Sequence, residues 1–164
     1  MNAPKELDDA LYDSITVLSE EGNDLADNDC FAAAKAKFEE ALALVPEPKT
    51  VWEASLWLYA SIGDMCFMMG DYAGCSKQMY NAINCADGYE NPFVNIRLGQ
   101  AQYELGDKEK AKEYLLCAYM MEGEDIFQEE DEKYFSGSYR RNSCIQICKH
   151  SLSFKKEGLQ YKSS

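Results

Sequence analysis

Three stretches of this chain repeat one spacing, and that spacing limits the fold more than any other feature. In each, a Gly is followed 12 residues later by Ala or Cys, 16 later by a large apolar residue and 19 later by Ala. The sets are Gly22, Ala34, Phe38, Ala41; then Gly63, Cys75, Met79, Ala82; then Gly99, Ala111, Leu115, Ala118. Small residues at three of the four places let two helices approach closely, and the large one fills the groove between them. Gly70-Asp71 and Gly106-Asp107 fall between the helices of the second and third sets. Gly tolerates the left-handed turn that ends a helix, and Asp accepts bonds from the free amides that begin the next. A paired-helix repeat follows.

The skeleton resembles the tetratricopeptide repeat, a 34-residue helix pair with small residues at the same offsets and a closing Pro. Gly70-Asp71-Tyr72 and Pro46 match that pattern directly. Cys75 stands where the family has Ala, Asp87 and Gly123 where a closing Pro is common, and Leu18, Tyr59 and Asn95 where Trp is usual. The resemblance covers residues 15 to about 125. It implies an all-α, right-handed α-solenoid of three helix pairs, with repeats at about 15–48, 56–89 and 92–125. A C-terminal capping helix over 129–154 completes a single domain of residues 1–154, and 155–164 is a frayed tail.

The repeat period is uneven, 41 residues from Gly22 to Gly63 and 36 from Gly63 to Gly99. Pro46-Glu47-Pro48 stops the second helix. Thr50 is then expected to cap a long helix from near Val51 to about Met69. The first helix is expected from near Lys5 to about Asp27, and the others near 29–45, 72–87, 92–105 and 108–121. The two long helices are expected to meet beyond their partners through an additional apolar contact. Tyr134, Phe135, Ile145, Cys148 and Leu152 form the apolar face of the expected capping helix.

Charge is divided along the chain. Residues 1–132 hold 9 basic and 28 acidic side chains, net −19, whereas 133–164 hold 7 and 1, net +6. This acidic balance argues against nucleic acid, whose phosphates it would repel, and favours a basic partner. At the join stand Glu122, Glu124, Asp125, Glu129, Glu130, Asp131 and Glu132, read either as a solvated helix start or as an acidic docking patch. The start Met1-Asn2-Ala3-Pro4-Lys5 carries no secretory pattern, and the seven cysteines, an odd number, read as reduced core residues of a cytoplasmic protein. From Ala54 to Gly70 the only charge is Asp64, but the stretch is short for a membrane span and reads as a buried helix.

Catalytic and metal signals are weak. His150 is the single histidine, and Cys144, Cys148 and His150 lack a fourth ligand in a zinc spacing. No phosphate-binding Gly-rich loop occurs, so no enzyme, cofactor or metal site is expected. The family resemblance instead points to a concave groove lined by the first helix of each pair. By position its lining is Ser19, Asn23 and Asp27; then Trp57, Ala60, Asp64 and Phe67; then Phe93, Arg97, Gln100, Tyr103 and Glu104. Trp57 reads equally as groove or core. A relative-type clamp for a C-terminal carboxylate is not expected, since only Asn23 and Arg97 fit its five places, with Ser19, Ser61 and Phe93 in the others.

The reading is therefore a non-enzymatic protein–protein interaction module that binds a protein or peptide, basic in character, in its groove. One alternative is an immunity-type inhibitor sequestering a basic toxin or enzyme; the approach to Lys133-Tyr134-Phe135 resembles the end of small bacterial tetratricopeptide-repeat proteins encoded beside toxins. The other is a structural adaptor or a self-associating homo-oligomeric solenoid.

Overall fold

A computed structural model describes residues 6–135. Six helices follow one another: α1 (Asp9–Asp27), α2 (Phe31–Leu44), α3 (Glu53–Met68), α4 (Tyr72–Ile83), α5 (Pro92–Glu104) and α6 (Lys108–Glu122). Short 3-10 turns occupy Lys49–Val51, Gly123–Phe127 and Glu132–Tyr134, and no strand occurs among the described residues. Each helix packs on the next in the chain, and α3 also touches α5 directly.

The repeated spacing has a physical counterpart. A β carbon added to Gly22 would lie 2.7 Å from the Phe38 ring, one on Gly63 would lie 2.9 Å from Met79 Cε, and one on Gly99 would lie 2.6 Å from Leu115 Cγ. So in all three hairpins the Gly leaves no room for a β carbon beside the large residue 16 positions later. The small residues at the other offsets are sealed in the same contacts: Ala34, Ala41, Cys75, Ala82, Ala111 and Ala118 are all buried.

The turns inside the hairpins share one geometry. Gly70 and Gly106 have φ of 77° and 88°. The amide after each bonds back to a carbonyl of the preceding helix, Asp71 to Cys66 and Asp107 to Gln102. Asp71 and Asp107 then cap α4 and α6 by accepting from Gly74 N and Lys110 N. In the first hairpin the backbone is the same but the residues differ. Asp29 holds the left-handed position at φ 59°, and Cys30 caps α2 without a side-chain bond.

Several element ends depart from expectation. The N-cap of α3 is Trp52, not Thr50, because Lys49–Val51 forms a separate 3-10 turn after the prolines. That shortens α3 to 16 residues. Its neighbour α4 stops at Ile83, short of the expected 87, where the chain enters a loop held by Asn95, whose Nδ2 donates to the carbonyls of Tyr89 (2.8 Å) and Asn91 (2.9 Å). In place of a capping helix beginning at 129, the described chain makes two 3-10 turns. Phe127 and Tyr134 from these turns are buried in a second apolar cluster with Ile96, Ala111, Leu115, Leu116 and Ala118. The remaining expected cap, 136–154, and the tail 155–164 lie outside the described residues, as do Cys144, Cys148 and His150. No described helix is long and apolar enough to cross a membrane.

Candidate functional site

The repeat spacing gives α1, α3 and α5 matching sequence positions. One position after the Gly stand Asn23, Asp64 and Gln100; five positions after it stand Asp27, Met68 and Glu104. Where α3 meets α5, a face is built around Arg97, whose side chain is only 11 % exposed. Its Nε lies 2.8 Å from Asp64 Oδ1, and its Nη1 donates to Gln100 Oε1 at 2.8 Å. The guanidinium is 4.5 Å from the centre of the Phe67 ring and 5.3 Å from that of Phe93. An Arg that is always charged, weakly hydrated and planar suits such a nearly dry setting between carboxylate and aromatic faces. Burial pushes the Asp64 carboxyl above its ordinary value, with Arg97 opposing the shift and Glu130 adding a smaller upward push.

The chain's own C-terminal turns cover this cluster. Gln100 Nε2 donates to Glu130 Oε2 at 2.7 Å, and the same oxygen is 3.4 Å from Arg97 Nη1. Lys133 Nζ lies 2.5 Å from Glu104 Oε1, which also accepts from the Tyr134 hydroxyl at 2.5 Å. The Tyr134 ring meets Tyr103 edge-on, with centroids 5.4 Å apart, and stands 6.5 Å from Phe67. Lys133 and Tyr134 together hold the Glu104 carboxyl below its ordinary value.

Of the twelve residues expected to line the groove, the structure brings six into one cluster: Asp64, Phe67, Arg97, Gln100, Tyr103 and Glu104, with Phe93 over the same guanidinium, while Ser19 and Ala60 are buried. Asp64 and Glu104 meet cations of this chain. The other three residues lie apart from that cluster. Asn23 and Asp27 are exposed on α1, and their side chains make no hydrogen bond or ion pair among the described residues. Trp57 is both core and surface: half-buried, it packs on the main apolar cluster and lines an open cleft of about 290 Å³. Glu6, Leu7, Asp9 and Tyr12 wall that cleft from the α1 side, and Glu53 and Ala54 from α3. Where these two helices were expected to meet, Leu7, Leu11 and Trp57 pack on the main apolar cluster, and beside them opens this cleft with its three carboxylates.

The sequence marks Glu130 only as part of a candidate acidic docking patch and Tyr134 only as part of a capping helix, and it places neither of them, nor Lys133, at the groove; the switch from acidic to basic sequence at residues 132–133 is the one signal there. Among the described residues no group of three or more His, Cys, Asp or Glu is placed to hold a metal ion. No protein-family model matches this chain, and no curated protein matches it.

Proposed function

We propose that this chain is a non-enzymatic, tetratricopeptide-type interaction module, a right-handed solenoid that holds a basic protein segment along the shared face of α1, α3 and α5. The observation that carries the reading is the contrast along one register row. At the α5 end, Glu104 takes the ammonium of Lys133. At the α1 end, the matching residue Asp27 and its neighbour Asn23 face solvent. A separate cleft at the opposite end of α1 adds Glu6, Asp9 and Glu53 beside Trp57 and Tyr12, with three carboxylates and no base among its described lining residues. Acids flanked by aromatic faces suit Lys and Arg side chains, through charge and through cation–π attraction. The net −19 of residues 1–132 accelerates encounter with a basic partner.

An array of basic and neutral peptides tests this. The full chain should select basic sequences, and Asp27→Lys combined with Trp57→Ala should remove that selection. Equal binding of basic and neutral sequences would count against the module reading.

A further inference from the structure

The occupied end of the face shows which chemistry it accepts. Its walls belong to helices: Phe67 on α3, and Tyr103 and Glu104 at the end of α5. Its occupant belongs to a 3-10 turn of three residues, Glu132–Tyr134. A single carboxylate oxygen, Glu104 Oε1, receives both the Lys133 ammonium and the Tyr134 hydroxyl, while the Tyr134 ring fills the slot beside Tyr103 and Phe67. The walls are set by the packed helices, whereas the occupant is held by side-chain contacts, by the burial of the Tyr134 ring and by three turn bonds: Tyr134 N to Asp131 O, Phe135 N to Glu132 O and Lys133 N to Asp131 Oδ1. Lys133 itself remains 40 % exposed, so solvent reaches one side of the contact.

We propose that the Phe67–Tyr103–Glu104 end of the face is a recognition site for a Lys-Tyr pair, that Lys133-Tyr134 is its resident occupant, and that a partner segment carrying the same pair displaces it. This rests on the reading of the chain as a module for basic segments and specifies the sequence one end of it takes. Lys supplies the charge that Glu104 needs, and Tyr supplies both a ring for the slot and a hydroxyl for the same oxygen. Phe at the second position keeps the ring but leaves Glu104 with one partner fewer. Charge-assisted hydrogen bonds of this kind are the strong ones, so each half of the pair contributes to selectivity. Resident and incoming pairs compete for one carboxylate, which makes the affinity for a partner depend on how firmly the resident turn is seated.

The test uses the full chain and a labelled peptide with blocked ends, Gly-Gly-Lys-Tyr-Phe-Ser, which keeps residues 133–136 and replaces Asp131 and Glu132 by Gly so that the probe is basic. Tyr134→Ala empties the slot, and that variant should bind the peptide about tenfold or more tightly than the unaltered chain, as expected for loss of an internal competitor. Adding Glu104→Gln should reverse the gain, and a peptide with Ala in place of Lys and Tyr should not bind. Because Tyr134 is buried, Lys133→Ala serves as a second variant that leaves the apolar cluster intact; it should give a smaller gain in the same direction. In the unaltered chain, excess peptide should speed hydrogen exchange at the Tyr134 and Phe135 amides while leaving α5 unchanged. Equal peptide affinity in the unaltered chain and both variants, or no change in exchange at saturating peptide, would overturn the proposal. Selection of basic peptides through Asp27 and Trp57 is measured separately, so its failure is distinguishable from failure here.

Discussion

Gly99 of α5 and Leu115 of α6 stand 16 residues apart and are pressed together so closely that a β carbon on Gly99 would lie 2.6 Å from Leu115 Cγ and 2.9 Å from its backbone nitrogen. The corresponding carbon on Gly63 would meet the Cε tip of Met79 at 2.9 Å. Met can swing its end away, whereas a backbone nitrogen cannot move without shifting α6. Ala also gains about 1 kcal/mol over Gly in a helix. Gly63→Ala should therefore be near neutral in denaturant unfolding, and Gly99→Ala should be destabilising by about 1–3 kcal/mol. Equal effects at both sites would contradict the packing described.

The first hairpin turn is the least adapted of the three. Asp29 carries the positive φ that Gly70 and Gly106 carry elsewhere, and Cys30 stands where Asp71 and Asp107 cap the next helix. Asp29→Gly should relieve a left-handed strain of about 1 kcal/mol, and Cys30→Asp should add a cap worth about 1 kcal/mol. The double variant should unfold at higher denaturant concentration, and an unchanged midpoint would refute this account of the turn.

Much of this architecture was legible in the amino-acid sequence because helix pairing imposes fixed offsets. Gly22 with Phe38, Gly63 with Met79 and Gly99 with Leu115 are all encoded at one interval. The covering turn was not legible in that way. Glu130 meets Gln100 from 30 residues away, and Tyr134 meets Glu104 from the same distance. Neither contact recurs at any period, and a 3-10 turn has no amphipathic stripe to reveal it. The long helix α3 is present, second in length only to α1 among the described helices, but its Thr50 cap was misplaced: Lys49–Val51 forms a separate 3-10 turn, so the helix starts at Glu53. Asp64, Arg97 and Glu104 were recognisable as members of one face, with Asp64 a candidate partner of Arg97, but Glu130, Lys133 and Tyr134 were not recognisable as partners of that face.

Arg97 bridges two carboxylates of distant elements, Asp64 and Glu130. Arg97→Met keeps the stem but leaves those acids without their cation. The loss should be about 2–3 kcal/mol, below the ~3–5 kcal/mol of fully buried pairs because both carboxylates keep some solvent contact. Adding Asp64→Asn should recover part of it, as measured by thermal unfolding. A loss no smaller in the double variant would argue against the ion pair as the cause.

Acid should act oppositely on two carboxyls of the face. The Glu104 value is lowered in the folded state from its ordinary 4.5, so its stabilisation is fully present above that pH and fades as pH falls through the folded value. Asp64 is raised from its ordinary 3.8, so falling pH protonates it first in the folded state and relieves its cost. Glu104→Gln should therefore flatten the acid limb of the stability profile, and Asp64→Asn should steepen it. Identical profiles in the two variants would contradict these assignments.

Cysteine labelling should be selective. Burial pushes the Cys75 thiol up to about 12 and Cys85 up to about 11, whereas Cys30 is exposed. Residue-resolved mass spectrometry after brief alkylation at mildly alkaline pH should find Cys30 modified well before Cys66, Cys75, Cys85 and Cys117. Early modification of Cys75 would mean that the α4–α5 contact opens readily.

The proposed basic segment lies along α1, from Asp27 at one end to the Trp57 cleft at the other. The most direct measurement is the dissociation constant of the best basic peptide from the array, followed from about 0.05 to about 0.5 M salt, a range over which screening shortens several-fold. The unaltered chain should lose affinity steeply as salt rises, and Asp27→Lys should bind weakly at low salt with a much shallower dependence. A dissociation constant indifferent to salt, or one that Asp27→Lys leaves unchanged, would contradict the account.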